Sequence, residues 1–190
     1  MSLIRTFLAL PLPGDVRKYV YQFPHHILDT RDKINWVKRT NIHITLSYLG
    51  DTDPDLIEDQ AKDINALVES YEPIQMATDD TGVYPHANDA RVLWIGASPF
   101  SNALNSLRKD LHNILGRHGY RVDNRKFQPH ITVGRVKTIS RKSSFIHDYL
   151  VTDAREMEFT VNSVKWLKST LTPDGPEYEE IKTFNFKQGE

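Results

Sequence analysis

Two tetrapeptides carry residue types that can do acid–base work: His43-Ile44-Thr45-Leu46 and, far downstream, His130-Ile131-Thr132-Val133. Each sits in a strand-like run, TNIHITLSYLG and FQPHITVGRV. Side chains two apart on a strand share a face. His43 and Thr45 therefore project together while Ile44 and Leu46 turn to a core. His130 and Thr132 repeat this against Ile131 and Val133. With 8 His in 190 residues, chance supplies about 0.6 His-x-Thr, and far fewer with apolar residues at both variable positions.

Two imidazoles with two hydroxyls are what metal-free phosphodiester chemistry needs. In a ribose 2′,3′-cyclic phosphate, water attacks phosphorus in line with a departing ribose oxygen. A neutral imidazole takes a proton from the water, and a protonated one gives a proton to the leaving oxygen. Histidine titrates near neutrality, so both forms are accessible together. Threonine hydroxyls can donate to the non-bridging oxygens, where charge collects in the transition state. A lone strand histidine is ordinarily structural; the matched pair points to catalysis. The chain has no cysteine, and neither motif has a third ligand nearby, so a zinc site fits poorly. No metal and no cofactor is expected. The remaining histidines receive no role. His25 and His26 lie in or after a Pro-kinked helix, His86 lies in a loop that could border a pocket, His112 and His118 flank a helix end, and His147 lies on a helix surface.

These motifs must be held by surrounding elements. Strands are expected over Leu3–Leu10, Ile34–Val37, Ile42–Leu49, Ile74–Val83, Arg91–Ala97, Ile131–Val136, Phe159–Leu167 and Tyr178–Phe186. Apolar spacing predicts helices over Asp15–Leu28 (kinked at Pro24), Pro54–Val68, Ser101–Gly116 with Ser101 as N-cap, and Phe145–Leu150. Apolar residues make up 39% and charged residues 26%, the balance of an ordinary globule. No low-complexity stretch interrupts it, so residues 1–190 read as one α+β domain. Each half supplies helices, strands and one tetrapeptide, the pattern of a duplication. A formal charge of −1 argues against a long polyanion groove and leaves room for a local basic pocket. The first apolar run is broken by Arg5, Pro11 and Pro13, so it reads as a strand and neither a signal peptide nor a membrane span. A cytoplasmic location is the default expectation.

On these motifs the chain resembles the 2H phosphoesterase superfamily and, within it, the bacterial and archaeal RNA 2′,3′-cyclic phosphodiesterase (2′-5′ RNA ligase) family. RTFLALPLP (Arg5–Pro13), WVKRTNIHITLSYLG (Trp36–Gly50), GVYPHANDARVLWIGA (Gly82–Ala97), FQPHITVGR (Phe127–Arg135) and STLTPDGPEY (Ser169–Tyr178) carry the resemblance over nearly the whole length. It implies two pseudo-symmetric lobes whose antiparallel sheets form a central cleft, with helices packed outside and one motif from each lobe. It implies metal-independent opening of RNA 2′,3′-cyclic phosphates to 2′-phosphomonoesters. His43 would be the proton donor to the 3′ oxygen and His130 the acceptor that activates water. Thr45 and Thr132 would bind the phosphate. The reverse reaction, with an RNA 5′-hydroxyl replacing water, would form a 2′-5′ linkage. The expected partner is an RNA 3′ end with a cyclic phosphate, or a small cyclic nucleotide, handled by a monomer.

Arg135 matches a basic residue of the family and suits a phosphate. In a regular strand it would face away from Thr132, so a site role requires a bulge at Gly134; without one it is a surface or salt-bridge Arg. Phe7, Trp36 and Tyr84 either stack on bases or fill the core. Two other readings compete. A non-catalytic RNA-end or nucleotide-binding module has no need of paired acid–base histidines. A hydrolase of small cyclic nucleotides or ADP-ribose cyclic phosphate would share the site, while the terminal matches favour RNA.

Overall fold

The apolar run Phe7-Leu8-Ala9-Leu10 forms the middle of strand β1 (Ile4–Pro11), between two other strands and buried on both faces: Leu8 and Leu10 enter the apolar core, and the rings of His43, Tyr48 and Tyr178 pack against Phe7. In the computed structural model, which describes residues 2–26, 32–173 and 175–188, β1 opens a chain of nine strands and four helices. After it come α1 (Gly14–Gln22), β2 (Lys33–Trp36), β3 (His43–Thr52), α2 (Ile57–Val68), β4 (Ile74–Tyr84) and β5 (Val92–Pro99). The remainder is α3 (Ala103–Arg117), β6 (His130–Thr138), α4 (Phe145–Val151), β7 (Glu158–Val161), β8 (Ser163–Thr172) and β9 (Gly175–Asn185).

All strand pairs are antiparallel, in the order β7-β4-β5-β6-β3-β1-β8-β9, with β2 added beside β6. The order divides naturally into two lobes, β3-β1-β8-β9 and β6-β5-β4-β7. Among the described residues they join through one bridge, Ile44 opposite Ile131. The sheet curls until its far edges approach: Asn162 alone separates β7, at one edge, from β8, which pairs with β9 at the other. This is the expected two-lobed antiparallel architecture, bent into a half-barrel.

Helices cover the outer faces through apolar stripes. Leu104, Leu107, Leu111, Ile114 and Leu115 of α3 are all buried, as are Ile57, Ala61, Ile64 and Val68 of α2. Each fully buried aliphatic side chain is worth about 1.5–3 kcal/mol. The helices α2 and α3 pack together, with α2 against β9 and α3 bonded to β3 through His112 and Ser47. On the other lobe α4 lies on β4 and α1 lies beside β6. The two halves thus repeat one topology: β1, α1, β3, α2 and β4 correspond to β5, α3, β6, α4 and β8. In both, the first helix and the last strand cross to the opposite lobe.

Several expected boundaries move. The first helix ends at Gln22 and tightens into a 3₁₀ turn, Phe23–His26, because Pro24 has no amide hydrogen to continue the α pattern; positions 27–28 of the expected helix lie outside the described residues. Pro54–Leu56 is a separate 3₁₀ turn before α2. Asn102, not Ser101, occupies the N-cap of α3, although the Ser101 hydroxyl accepts from the Ala103 amide at 3.3 Å. The expected strand Phe159–Leu167 is two strands in different lobes, parted at Asn162. Its buried apolar residues run Phe159, Val161, Val164, Trp166, so the two-residue period slips where the chain changes lobe. His112 does not flank the helix end; it lies within α3, buried against Ser47 at 3.2 Å. Among the described residues no helix is long and apolar enough to cross a membrane.

Candidate active site

The Ile44–Ile131 bridge governs the site. Both isoleucines are fully buried, so their neighbours along each strand face the opposite way, into the cleft. Continued from that bridge, the antiparallel register sets His43 across from Thr132 and His130 across from Thr45. The two imidazoles and two hydroxyls therefore occupy one face, related by a local two-fold between the isoleucines.

Each ring is fixed in the same manner. His43 Nδ1 lies 2.7 Å from the Asn41 carbonyl and His130 Nδ1 lies 2.8 Å from the Gln128 carbonyl, two residues upstream in both cases. A carbonyl only accepts, so both Nδ1 atoms carry the hydrogen and Nε2 of each ring faces away from that carbonyl. Aromatic neighbours hold the ring planes. Phe7 and Tyr178 lie 5.1 and 5.4 Å from His43, and Tyr84 and Trp94 lie 5.2 and 6.0 Å from His130. Gly82 permits one of these placements, because a β-carbon there would stand 2.0 Å from the Trp94 ring.

The symmetry stops at the hydroxyls. Thr45 Oγ1 lies 3.0 Å from His43 Nε2, and with Nδ1 protonated the hydroxyl donates to that nitrogen. Burial pushes His43 from the ordinary 6.5 down to about 4; the Asn41 carbonyl opposes the shift, and charge on nearby His130 adds to it. His43 is therefore neutral near pH 7 in the free protein.

Beyond each motif the two strands behave alike. From the histidine onward, both read half-buried, buried, half-buried, buried, buried, exposed. In β3 the pairing with β1 skips Leu46, and in β6 the pairing with β5 skips Val133. One extra residue in each strand reverses the alternation and returns Tyr48 and Arg135 to the cleft face. The bulge needed to bring Arg135 into the site is present, and Gly134 accommodates it: a β-carbon there would be 2.8 Å from Trp36. Arg135 lines the cleft with His43, Thr45 and Thr132. Among the described residues its guanidinium makes no hydrogen bond or ion pair.

His130 opens onto an adjoining hollow that shares Thr45 and Tyr48 with the first, so the two cavities meet at the centre of the motifs. The five residues singled out from sequence thus lie along one continuous cleft. Of the aromatic candidates, Phe7 is buried beneath His43, whereas Trp36 and Tyr84 are partly exposed and line the two cavities. Sequence reasoning missed Tyr48, Tyr178 and Trp94. Tyr48 had a usable signal, since it stands three residues after Thr45 as Arg135 does after Thr132. Among the described residues no group of three or more His, Cys, Asp or Glu side chains could hold a metal ion.

Known proteins resemble this chain in sequence and in fold. A sequence model of the 2′-5′ RNA ligase superfamily matches residues 22–172. An RNA 2′,3′-cyclic phosphodiesterase of Methanocaldococcus jannaschii is 35% identical over 182 residues, 94% of this chain and 99% of that one. Its namesake from Thermotoga maritima is 30% identical over 187 residues, covering 98% and 97%. Among solved structures, TT0787 of Thermus thermophilus superposes with a TM-score of 0.81 at 22% identity, over 96% of this chain and 97% of that one. E. coli LigT complexed with 3′-AMP superposes with a TM-score of 0.77 at 19% identity, over 98% and 99%.

Proposed function

Since this chain belongs to the 2′-5′ RNA ligase superfamily, we propose that it opens RNA 2′,3′-cyclic phosphate ends to 2′-phosphomonoesters by metal-independent acid–base catalysis. The observation that carries this reading is the shared face: two imidazoles, each tied through Nδ1 to a carbonyl, with Nε2 left for chemistry. The activity for which the relatives are named supplies the substrate class.

In the proposed step His130 Nε2 accepts a proton from water as its oxygen bonds to phosphorus. The bond from phosphorus to O3′ breaks on the opposite side, and His43 Nε2–H passes its proton to the departing oxygen. Thr45, Thr132 and Arg135 donate to the non-bridging oxygens, whose charge grows in the transition state. His43 must be protonated for this role, and its burial opposes that. An anionic phosphodiester in the cleft favours the imidazolium, so the substrate itself promotes the acid form. With an RNA 5′-hydroxyl in place of water, the same step forms a 2′-5′ linkage: its oxygen bonds to phosphorus, O3′ departs, and the proton transfers are unchanged.

Product analysis tests this directly. A short RNA ending in a 2′,3′-cyclic phosphate is incubated in EDTA with wild type, His43→Ala and His130→Ala. Wild type yields the 2′-phosphate, and both variants lose at least about a hundredfold in rate. Turnover that outlasts both replacements, or that stops on chelation, refutes the mechanism; a 3′-phosphate product means the other ribose oxygen departs.

A further inference from the structure

The hollow beside His130 has walls that the proposed chemistry does not use. Residues 118–129, between α3 and β6, form a twelve-residue connection without helix or strand, a length at which irregular loops commonly carry function. The loop is anchored. Tyr120 donates its hydroxyl to Gln60 at 2.7 Å. Arg108 of α3 donates to the Asp123 carbonyl at 2.6 Å and stacks over the Phe127 ring, 4.6 Å from its centroid. The hollow is thus preformed.

Its charge departs from the bulk of the chain. Arg108, Arg121, Arg125 and Lys126 line it, against a single carboxylate, Asp123. Arg125 is committed to Asp123, at 2.6 Å between Nη2 and Oδ2, and holds that carboxyl well below the usual range. Arg121 and Lys126 form no hydrogen bond or ion pair among the described residues. Three aromatic side chains border the same space: Phe127, Tyr84 and Tyr48, the last 61% exposed. Unpaired cations beside accessible ring faces match the needs of a single-stranded polynucleotide, whose phosphates seek charge and whose bases seek a stacking surface. A cyclic mononucleotide carries one phosphate, which the proposed chemistry already gives to Thr45, Thr132 and Arg135, so further cations call for further phosphates.

Resting on the activity proposed above, we propose that this groove holds an RNA strand beyond the reacting nucleotide and makes the protein selective for polynucleotides over cyclic mononucleotides. The strand is either the one bearing the cyclic phosphate or the one whose 5′-hydroxyl replaces water; the chemistry recognised is the same.

The test compares wild type, Arg121→Ala/Lys126→Ala, and the charge-preserving Arg121→Lys/Lys126→Arg. Substrates are 2′,3′-cyclic AMP, a short RNA with a cyclic end, and that RNA with a second strand bearing a 5′-hydroxyl. Wild type is expected to prefer the RNA over cyclic AMP by about tenfold or more in kcat/KM at low salt. The double alanine variant loses that preference, leaves cyclic AMP turnover within about twofold, and flattens the salt dependence by a slope of about 1.4, two phosphate contacts' worth. The charge-preserving variant keeps the preference. Loss confined to joined product also supports the groove and assigns it to the 5′-hydroxyl strand. Unchanged kinetics on every RNA, or equal losses on RNA and cyclic AMP, overturn the proposal. Should wild type turn over neither substrate, the catalytic reading fails by itself. The groove is then judged by fluorescence anisotropy of a labelled RNA, where unweakened binding by the double alanine variant overturns it and weakened binding sustains it.

Discussion

Tyr48 and Arg135 are counterparts across the cleft, each three residues past its threonine and each returned to the cleft face by one extra residue in its strand. Their positions match and their chemistry differs, so each is expected to serve the proposed reaction differently. Arg135→Ala is expected to lower kcat/KM on a cyclic mononucleotide by about a hundredfold, with Arg135→Lys recovering part of it because a point charge replaces a fork of donors. Tyr48→Ala should act mainly through KM, by about 1–3 kcal/mol, if its ring stacks on a base. Steady-state kinetics at saturating and limiting substrate separate the two effects.

The two threonines should each cost about 10²–10³ in kcat when replaced by valine, the usual result of removing a donor to a developing oxyanion. The double replacement should fall short of the product of the single losses, because in the proposed step both hydroxyls donate to one phosphate. Equal rates for wild type and either variant would leave that threonine without a role in turnover.

His43 predicts a pH dependence. Its folded-state value of about 4 lies below the ordinary 6.5, so between these values the unfolded chain binds the proton and the folded one does not. Stability therefore rises with pH across this window and is lost as pH falls toward 4, by up to about 3 kcal/mol. Denaturant melts at pH 4.5 and pH 7 (values about the window's ends) should diverge in wild type and converge in His43→Asn. NMR titration of the ring should show the value climbing by at least about one unit when inorganic phosphate is added. A value that stays put would argue that His43 acts as the base and His130 as the acid.

Gly82 offers a stability test. Alanine there would place a β-carbon 2.0 Å from Trp94 Cζ2, and the indole must move. Gly82→Ala is expected to cost about 1–3 kcal/mol and to slow turnover, because Trp94 neighbours His130. Thermal melts and tryptophan fluorescence report the first effect and kinetics the second.

Much of this site could be read from the chain because strand parity is a local property. His43, Thr45, His130 and Thr132 follow from alternation alone, and their shared face needed only one pairing, Ile44 with Ile131. The bulges were less accessible. Gly134 marked one of them, while its partner at Leu46 carries no glycine, so Tyr48 went unnoticed. Tyr178 and Trp94 reach the histidines through strands distant in sequence, and no spacing rule connects them. Element types were largely legible from periodicity. The change of lobe at Asn162 was missed because a slip of one residue in an apolar rhythm resembles ordinary irregularity.

The crossing of α1 and α3 to opposite lobes, together with β4 and β8, has a practical consequence. A cut in the connection at Ala87–Asp89 would yield two peptides, each owning a reactive tetrapeptide and neither owning the scaffold for it. Such fragments should remain unstructured apart and regain a folded, working unit only on mixing, which makes this chain a natural split reporter.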